Sequence, residues 1–388
     1  MTDQSIVCFA KDWTEDPTSN NHVMRLLAER NRVLWLNSIA TRTPTFSSGR
    51  DLKKIGRKLA SFAKGPVAAA DTLWVYTPIV LPFPHFAAAT ALNKRILRGA
   101  IGLLRRRLGM SDFQLWSFIP TASEYVGTLG ESLVVYYCTD EWSEFSYVDK
   151  AKVAAQEKSL CERADLVFVT SHALYEKKRA WNPQTHLALH GVDQAHFARA
   201  LDPATPLADE VKDLAGKPVL GFVGLVQDWV DVDVMAMLAE KRPDWTLVIV
   251  GKALTDVSRL ERLPNVRMVG RKPYAELPRY LRAFSVGLIP FRSSELTRNV
   301  NPIKLREYLS AGLPVVACGV PEIRHYGQWS RYVESPEEFL RACEAALTED
   351  SPAARLERSE LMRAETWDRK VADISAHVER AIARRATR

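Results

Sequence analysis

Apolar residues in this chain fall into short continuous runs, separated by stretches in which they recur every three or four positions. Ser5–Ala10, Arg32–Leu36, Leu73–Tyr76, Phe113–Phe118, Leu133–Tyr137, Leu166–Thr170 and Thr185–Leu189 are runs of the first kind and read as buried strands. Between them, Asn21–Arg30, Lys152–Arg163 and His172–Ala180 carry the helical period. Continuous apolar strands alternating with amphipathic helices predict a parallel sheet covered on both faces. A polar, proline-bearing stretch, Leu201–Gly216, interrupts the rhythm and reads as a domain junction. The alternation then restarts. Strands are expected at Pro218–Val223, Thr246–Val250, Val266–Val269, Val286–Ile289 and Pro314–Ala317, with helices at Val232–Glu240, Tyr274–Ala283 and Pro302–Ala311. Glu337–Arg388 is mostly helical by composition.

At 388 residues the chain exceeds the size at which one hydrophobic core stops growing. The expected architecture is α/β: two doubly wound, Rossmann-like domains, 1–200 and 201–365, facing each other across a cleft, with 366–388 a helix returning to the first domain. No apolar run reaches the ~18–20 residues of a membrane span; the longest, Ile79–Leu92, is broken by Pro82, Pro84 and His85. The N-terminus lacks the basic-then-apolar pattern of a cleaved signal. Five scattered cysteines in no metal-binding spacing fit a reduced, cytoplasmic protein.

Charge changes this picture in one place. The net charge is +7, yet residues 41–110 hold thirteen Lys and Arg against Asp51 and Asp71, leaving the remainder of the chain acidic. Within that stretch, residues 50–64 and 93–108 combine Leu, Ile and Phe with clustered Lys and Arg at helical spacing. Such helices suit an anionic membrane surface, apolar side down. The alternative is an amphipathic helix packed on the sheet with a solvated basic face. Nucleic acid is not expected, because no recognised binding motif or interleaved aromatic platform accompanies the charge.

Ligands of doubly wound sheets bind beyond the carboxyl ends of the strands, which directs attention to three loops. In NVNPIKLREYLSAGLPVVA (299–317), Pro302 suits a first helical position and Asn301 its cap. Lys304 then lies in the first turn, where the helix dipole disfavours a cation. An anionic ligand resolves that conflict, since exposed N–H groups and an ammonium would both face a phosphate. Glu307 shares that face and could accept from a ribose or sugar hydroxyl; otherwise the two are a solvated ion pair. In VVYYCTDEWSEF (134–145), Asp140 falls just past a buried strand, placed to take a proton from an attacking hydroxyl. Glu141 and Glu144 are its rivals. In KDWTEDPTSNNH (11–22), Trp13, Asn20 and His22 offer a stacking face and polar groups for a sugar acceptor, while Asn20 or Asn21 could equally cap a helix. Asp231-Val232-Asp233 opens a predicted helix and reads as structural. No histidine spacing suggests a metal.

SVGLIPF…NPIKLREYLSAGLPVVACGVPE (285–322), preceded by GFVGLVQDWVDVDVM, WTLVIVG, NVRMVGRKPYAELPRYL and HGVD in the same order and spacing, resembles the C-terminal signature of GT-B glycosyltransferases related to glycosyltransferase family 4. The acidic loop at Asp140 is similar to the one bearing the catalytic aspartate in xanthan-type glucuronosyltransferases. The resemblance implies a donor nucleotide-diphosphate sugar, UDP- or GDP-linked, held by the C-terminal domain, with no further cofactor and no metal. It implies a polyprenyl-diphosphate-linked or saccharide acceptor on the N-terminal domain, and surface-polysaccharide assembly at the inner face of the cytoplasmic membrane. Residue by residue, it makes Lys304 a diphosphate contact, Glu307 a ribose or sugar contact, Arg271 a neighbour of the base and Gly224 the turn that admits the phosphates. Trp13, Asn20, His22 and Glu141 would meet the acceptor, and Asp140 would be the base of an inverting transfer or would orient the acceptor in a retaining one. Two features depart from the pattern. The Arg and Lys that follow the first donor-domain strand are replaced by Leu225-Val226-Gln227-Asp228-Trp229, leaving Lys304, Arg271, Arg292 and Arg298 as candidate cations, and the upstream glutamate is Asn299. A GT-B sugar-nucleotide epimerase or a basic nucleic-acid-binding protein are the competing functions. A dinucleotide oxidoreductase is disfavoured because no GxGxxG follows the first strand.

Overall fold

The computed structural model describes residues 1–15, 17–38, 62, 64–81, 86–327 and 329–387. Most of the basic segment 50–64 lies outside the described residues. The chain forms two compact units, Met1–Ala188 with Val371–Arg388, and Leu189–Lys370.

The first unit is built on β1 (Ser5–Phe9), β2 (Arg32–Leu36), β3 (Val67–Ala70), β4 (Leu73–Tyr76), β5 (Phe113–Ser117), β6 (Leu133–Cys138), β7 (Leu166–Val169) and β8 (Thr185–Leu187). They form one sheet in the order β3-β4-β2-β1-β5-β6-β7-β8, parallel throughout except for β3 at one edge. Every residue of β1, β5, β6 and β7 is buried, as expected where helices cover both faces. The short alanine-rich β3 is exposed along its length and is paired through a bulge. Helix Trp367–Ala386 returns to this unit. There Arg385 pairs with Asp165 at 2.6 Å, and the His377 ring lies 3.9 Å from that of His186.

The second unit contains β9 (Val219–Val223), β10 (Thr246–Val250), β11 (Val266–Gly270), β12 (Val286–Pro290), β13 (Val315–Cys318) and β14 (Ser330–Tyr332). Its sheet runs β11-β10-β9-β12-β13-β14, all parallel. Strand order reverses between β9 and β12, which makes that gap the topological switch point; the equivalent gap in the first unit lies between β1 and β5. Apolar clusters cover both faces, one around Tyr280, Phe284, Tyr308 and Leu309, the other around Met235, Trp245, Phe339 and Cys343. The stretch 201–216, expected as a junction, belongs to this unit: Val211 and Leu214 are buried in its core. The expected helix 274–283 is a short 3-10 turn followed by Leu277–Leu281, because Pro278 occupies the first turn of a new helix.

Candidate functional site

In the second unit the candidate residues gather at the carboxyl end of the sheet. β9 ends at Val223, and Gly224 follows with φ 154°. Gly251, after β10, has φ 156°, and a Cβ there would lie 1.7 Å from the Gly224 carbonyl oxygen. The two turns therefore touch backbone to backbone, which only glycine permits. Gly224 N–H donates to Val250 O at 2.9 Å, and Val226 N–H to Lys252 O at 3.0 Å.

Across the switch point stands helix Ile303–Ser310. Tyr308, fully buried, accepts the Val223 N–H at 2.7 Å through its hydroxyl and so pins the helix to the end of β9. A side chain at Gly287 on β12 would collide with the Tyr308 ring, so that glycine is what lets the helix lie so close. Pro302 is the cap residue rather than the first helical one, in extended backbone. Asn301 does not cap through its carboxamide oxygen, which instead accepts from Arg306 Nη1 at 2.8 Å. Arg306 is fully buried, also contacts Tyr326 and Glu365, and holds the segment just before the helix. An arginine at mid-helix carries no sequence sign of burial.

Lys304 stands in the first turn and pairs with Glu307, their side chains 28% and 7% exposed. The pair is thus set into the surface rather than solvated. Tyr274 completes this end of the unit: burial first, then Glu307 and Asp193, push its hydroxyl well above its ordinary pKa. The His196 ring stacks 4.6 Å from Tyr274. Asp193, of the HGVD segment, caps the helix that carries His196.

Arg271 is exposed on the loop after β11, at the same end of the sheet. Other cations of this unit are engaged in ion pairs. Lys272 pairs with Glu210, Arg292 with Asp233 at 3.2 Å and Arg298 with Glu295 at 2.9 Å. Asn299 is buried and donates to the Glu295 carbonyl at 2.7 Å. Asp231 caps helix Val232–Lys241 by accepting from Asp233 N and Val234 N, and Asp233 is held by Arg259 and Arg292.

In the first unit, Asp140 follows the end of β6 and is half-buried. Desolvation raises its carboxyl pKa above the usual range, against a hydrogen bond from Thr139. A carboxylate of raised basicity at a strand end can accept a proton from a bound hydroxyl. Its rivals are differently placed. Glu141 is buried, and although burial works against its charge, Lys178 and Lys177 hold its pKa below the usual carboxylate range. It is therefore anchored inside the unit and not presented to an acceptor. Glu144 pairs with Lys150 at 2.6 Å.

The loop after β1 is organised by its neighbours. Trp13 N–H donates to Asn37 at 2.9 Å, while its half-buried ring meets Trp35 edge-on and lies under Arg25. Thr18, not Asn20 or Asn21, caps helix Ser19–Ala28, with the Asn21 carboxamide closing a capping box. Asn20 is buried and His22 half-buried on that helix. β5 separates this loop from the one carrying Asp140.

Helix Ala87–Arg107 buries Leu97, Ile101 and Leu104 in the first unit's core. A second apolar stripe, Leu92, Ile96 and Leu103, is exposed, as is Phe86 at the helix start. Arg95, Arg98, Arg106 and Arg107 are exposed beside it, whereas Arg105 turns inward over the Phe113 ring. No helix among the described residues is long and apolar enough to cross a membrane.

Residues 217–349 match the family model described as glycosyl transferases group 1. TuaH of Bacillus subtilis (strain 168), which carries the name teichuronic acid biosynthesis glycosyltransferase, is 30% identical over 258 residues. That match covers 61% of this chain and 64% of TuaH, a little under two thirds of the relative's length. Among solved structures, sucrose-phosphate synthase from Thermosynechococcus elongatus superposes with a TM-score of 0.73 at 16% identity, covering 98% of this chain and 99% of that one. Anabaena HepE in complex with UDP and glucose gives 0.68 at 13% identity, covering 97% and 99%.

Proposed function

We propose, for a chain of the GT-B fold whose residues 217–349 form a glycosyl transferases group 1 domain, that it transfers a sugar from a nucleotide-diphosphate donor to a lipid-linked or saccharide acceptor in surface-polysaccharide synthesis. The observation that carries this reading is the switch point of the second unit. There a helix start bearing Lys304 is tied by Tyr308 to the end of β9, next to a turn narrowed to bare backbone by Gly224 and Gly251. The positive end of the helix dipole and an ammonium converge there, beside backbone that no side chain shields, which is chemistry that accepts a diphosphate. The name of TuaH and the UDP held by HepE support the polysaccharide setting and the donor class.

In this reading Lys304 and the helix N-terminus neutralise the charge that builds on the leaving diphosphate. Glu307 orients Lys304 and takes a hydroxyl of the donor, and Arg271 borders the base. On the first unit, Trp13 and His22 line the acceptor side, with Asn20 buried in the helix behind them, and Asp140 receives the proton of the acceptor hydroxyl. Glu141, withdrawn into the interior, leaves that role to Asp140. The epimerase and nucleic-acid readings have no comparable feature in their favour.

We also assign helix Ala87–Arg107 to contact with an anionic membrane surface. A helix packed on the sheet with a merely solvated outer face would not leave Leu103 51% and Phe86 65% exposed among arginines. The enzyme would then work as a peripheral protein at the inner leaflet.

The test is a donor screen read by melting temperature and by diphosphate release. A sugar nucleotide and its nucleoside diphosphate should stabilise the protein, whereas NAD and duplex DNA should not. Asp140→Asn should bind the donor normally and lose about 10²–10⁴ in turnover. Stabilisation by DNA alone, or full turnover in Asp140→Asn, would remove the respective part of the reading.

A further inference from the structure

Beneath Asp140 lies a group of charges that the proposed transfer does not use. Lys178, the last residue of helix His172–Lys178, is fully buried. Its Nζ donates to Glu157 Oε2 at 2.8 Å and approaches both Glu141 oxygens at 3.3 and 3.4 Å, while lying 4.6 Å from the Trp181 ring centroid. Glu141 also takes Lys177 at 2.9 Å and the Ser143 hydroxyl at 3.1 Å. Glu157, from the middle of helix Lys150–Arg163, accepts the Tyr136 hydroxyl at 2.7 Å and the Cys138 thiol at 3.2 Å. Two lysines balance two glutamates, and both carboxylates are fully engaged.

Such a cluster is a poor way to gain stability, because apolar residues of the same volume usually do as well or better. Its arrangement suggests another purpose. Two of its branches reach the peptide of Asp140, through Glu141 and through Cys138. Glu141 is the following residue. Cys138, besides its contact with Glu157, approaches the Asp140 carbonyl at 3.3 Å. Thr139 O accepts the Thr170 hydroxyl at 2.8 Å. The peptide carrying Asp140 is thus held by directional bonds from two helices and two strand ends.

We propose that Lys178 is a positioning residue: by tying Glu141 to Glu157 it fixes the loop at the end of β6, so that the Asp140 carboxylate is held ready for the acceptor hydroxyl. This inference rests on the reading of Asp140 as the proton acceptor. Lys178 touches no substrate. Its effect on rate passes entirely through the placement of Asp140, so donor binding in the second unit is independent of it.

The experiment compares the full-length protein with Lys178→Met/Glu157→Gln, which removes one charge of each sign at nearly constant volume, and with Glu141→Gln, which keeps the shape of the side chain. Lys178→Arg serves as the rescue, and Asp140→Asn as the reference for complete loss. Each is read by turnover of the sugar nucleotide chosen in the donor screen, by the melting shift with its nucleoside diphosphate, and by amide hydrogen exchange of residues 138–146. In the first two variants turnover should fall at least tenfold with an unchanged donor KM and an unchanged melting shift. Exchange in 138–146 should rise at least tenfold, and Lys178→Arg should recover most of the rate. If the double variant does not fold, Glu141→Gln alone carries the comparison. Wild-type exchange and turnover in the variants, or a loosened loop with full turnover, overturn the proposal while a dead Asp140→Asn leaves the base reading standing. Full turnover in Asp140→Asn overturns both.

Discussion

The two units share the order of six parallel strands but treat their switch points in opposite ways. In the second, the turns after β9 and β10 meet on bare backbone, and the helix across the switch point is fastened to β9 by a neutral hydrogen bond, Val223 N–H to the Tyr308 hydroxyl. In the first, the loop after β1 contains no glycine; it is built of Trp13, Asp12 and Asn37 contacts, and the neighbouring Asp140 loop rests on buried ion pairs. The difference follows the chemistry proposed for each side. A diphosphate needs close approach to N–H groups and no competing side chains. A proton acceptor needs a carboxylate kept at one place and partly dry, which polar anchors achieve by direction rather than by volume.

If that contrast is real, the largest effect will come from filling the backbone contact of the second unit. Gly251→Ala puts a methyl group against the Gly224 carbonyl and should cost about 3 kcal/mol or more, by overpacking and by its unfavourable φ. Denaturant unfolding should register the loss, and nucleoside diphosphate binding should weaken with it. A neutral substitution would mean that the two turns are not packed as described.

A smaller effect should appear on the surface of the first unit. Each arginine beside an anionic membrane contributes on the order of 1 kcal/mol, so Arg106→Gln/Arg107→Gln should reduce co-sedimentation with phosphatidylglycerol vesicles about tenfold or more. The same protein should lose nothing with neutral phosphatidylcholine vesicles. Undiminished binding to the anionic vesicles would remove the membrane assignment and leave the basic helix simply solvated.

The smallest concerns the terminal helix of the first unit. Burial, then the neighbouring His377, Arg380 and Arg384, lowers the His186 pKa to about 4, and His377 is lowered too, again chiefly by burial. A histidine whose folded pKa lies below its unfolded one opposes folding once the unfolded chain takes up the proton. Stability should therefore fall as pH drops from about 6.5 towards 4. Allowing for the partial exposure of the pair, His186→Gln should flatten that decline by on the order of 1 kcal/mol in melting curves across this range. An unchanged slope would place the acid sensitivity elsewhere.

The repeating pattern of strands and helices was legible because burial on both faces makes a strand a continuous apolar run, as along β1 and β6, while the one-sided burial of a helix leaves a 3.6-residue period. The boundary was misplaced because the polar stretch 201–216 looks like a linker; only tertiary packing shows Val211 and Leu214 inside the second unit. Lys304 stood out because it breaks a helix-start preference, and Asp140 because it ends an apolar strand. The residues that hold them did not stand out. Tyr308, Arg306 and Lys178 look like ordinary helix residues, and their roles depend on partners distant in sequence, such as Val223, Glu365 and Glu141. Cap assignments failed for a related reason: Asn301 could cap its helix locally, but a buried guanidinium claims its oxygen.

The most direct test of the central claim is calorimetric titration of a nucleoside diphosphate into the wild-type protein and into Lys304→Ala. The account predicts saturable binding to the wild type and at least tenfold weaker binding to the variant, the scale of a lost charge-assisted contact of about 1.5–3 kcal/mol. Equal affinity in the two proteins, or no heat of binding with UDP, GDP or ADP, would contradict it.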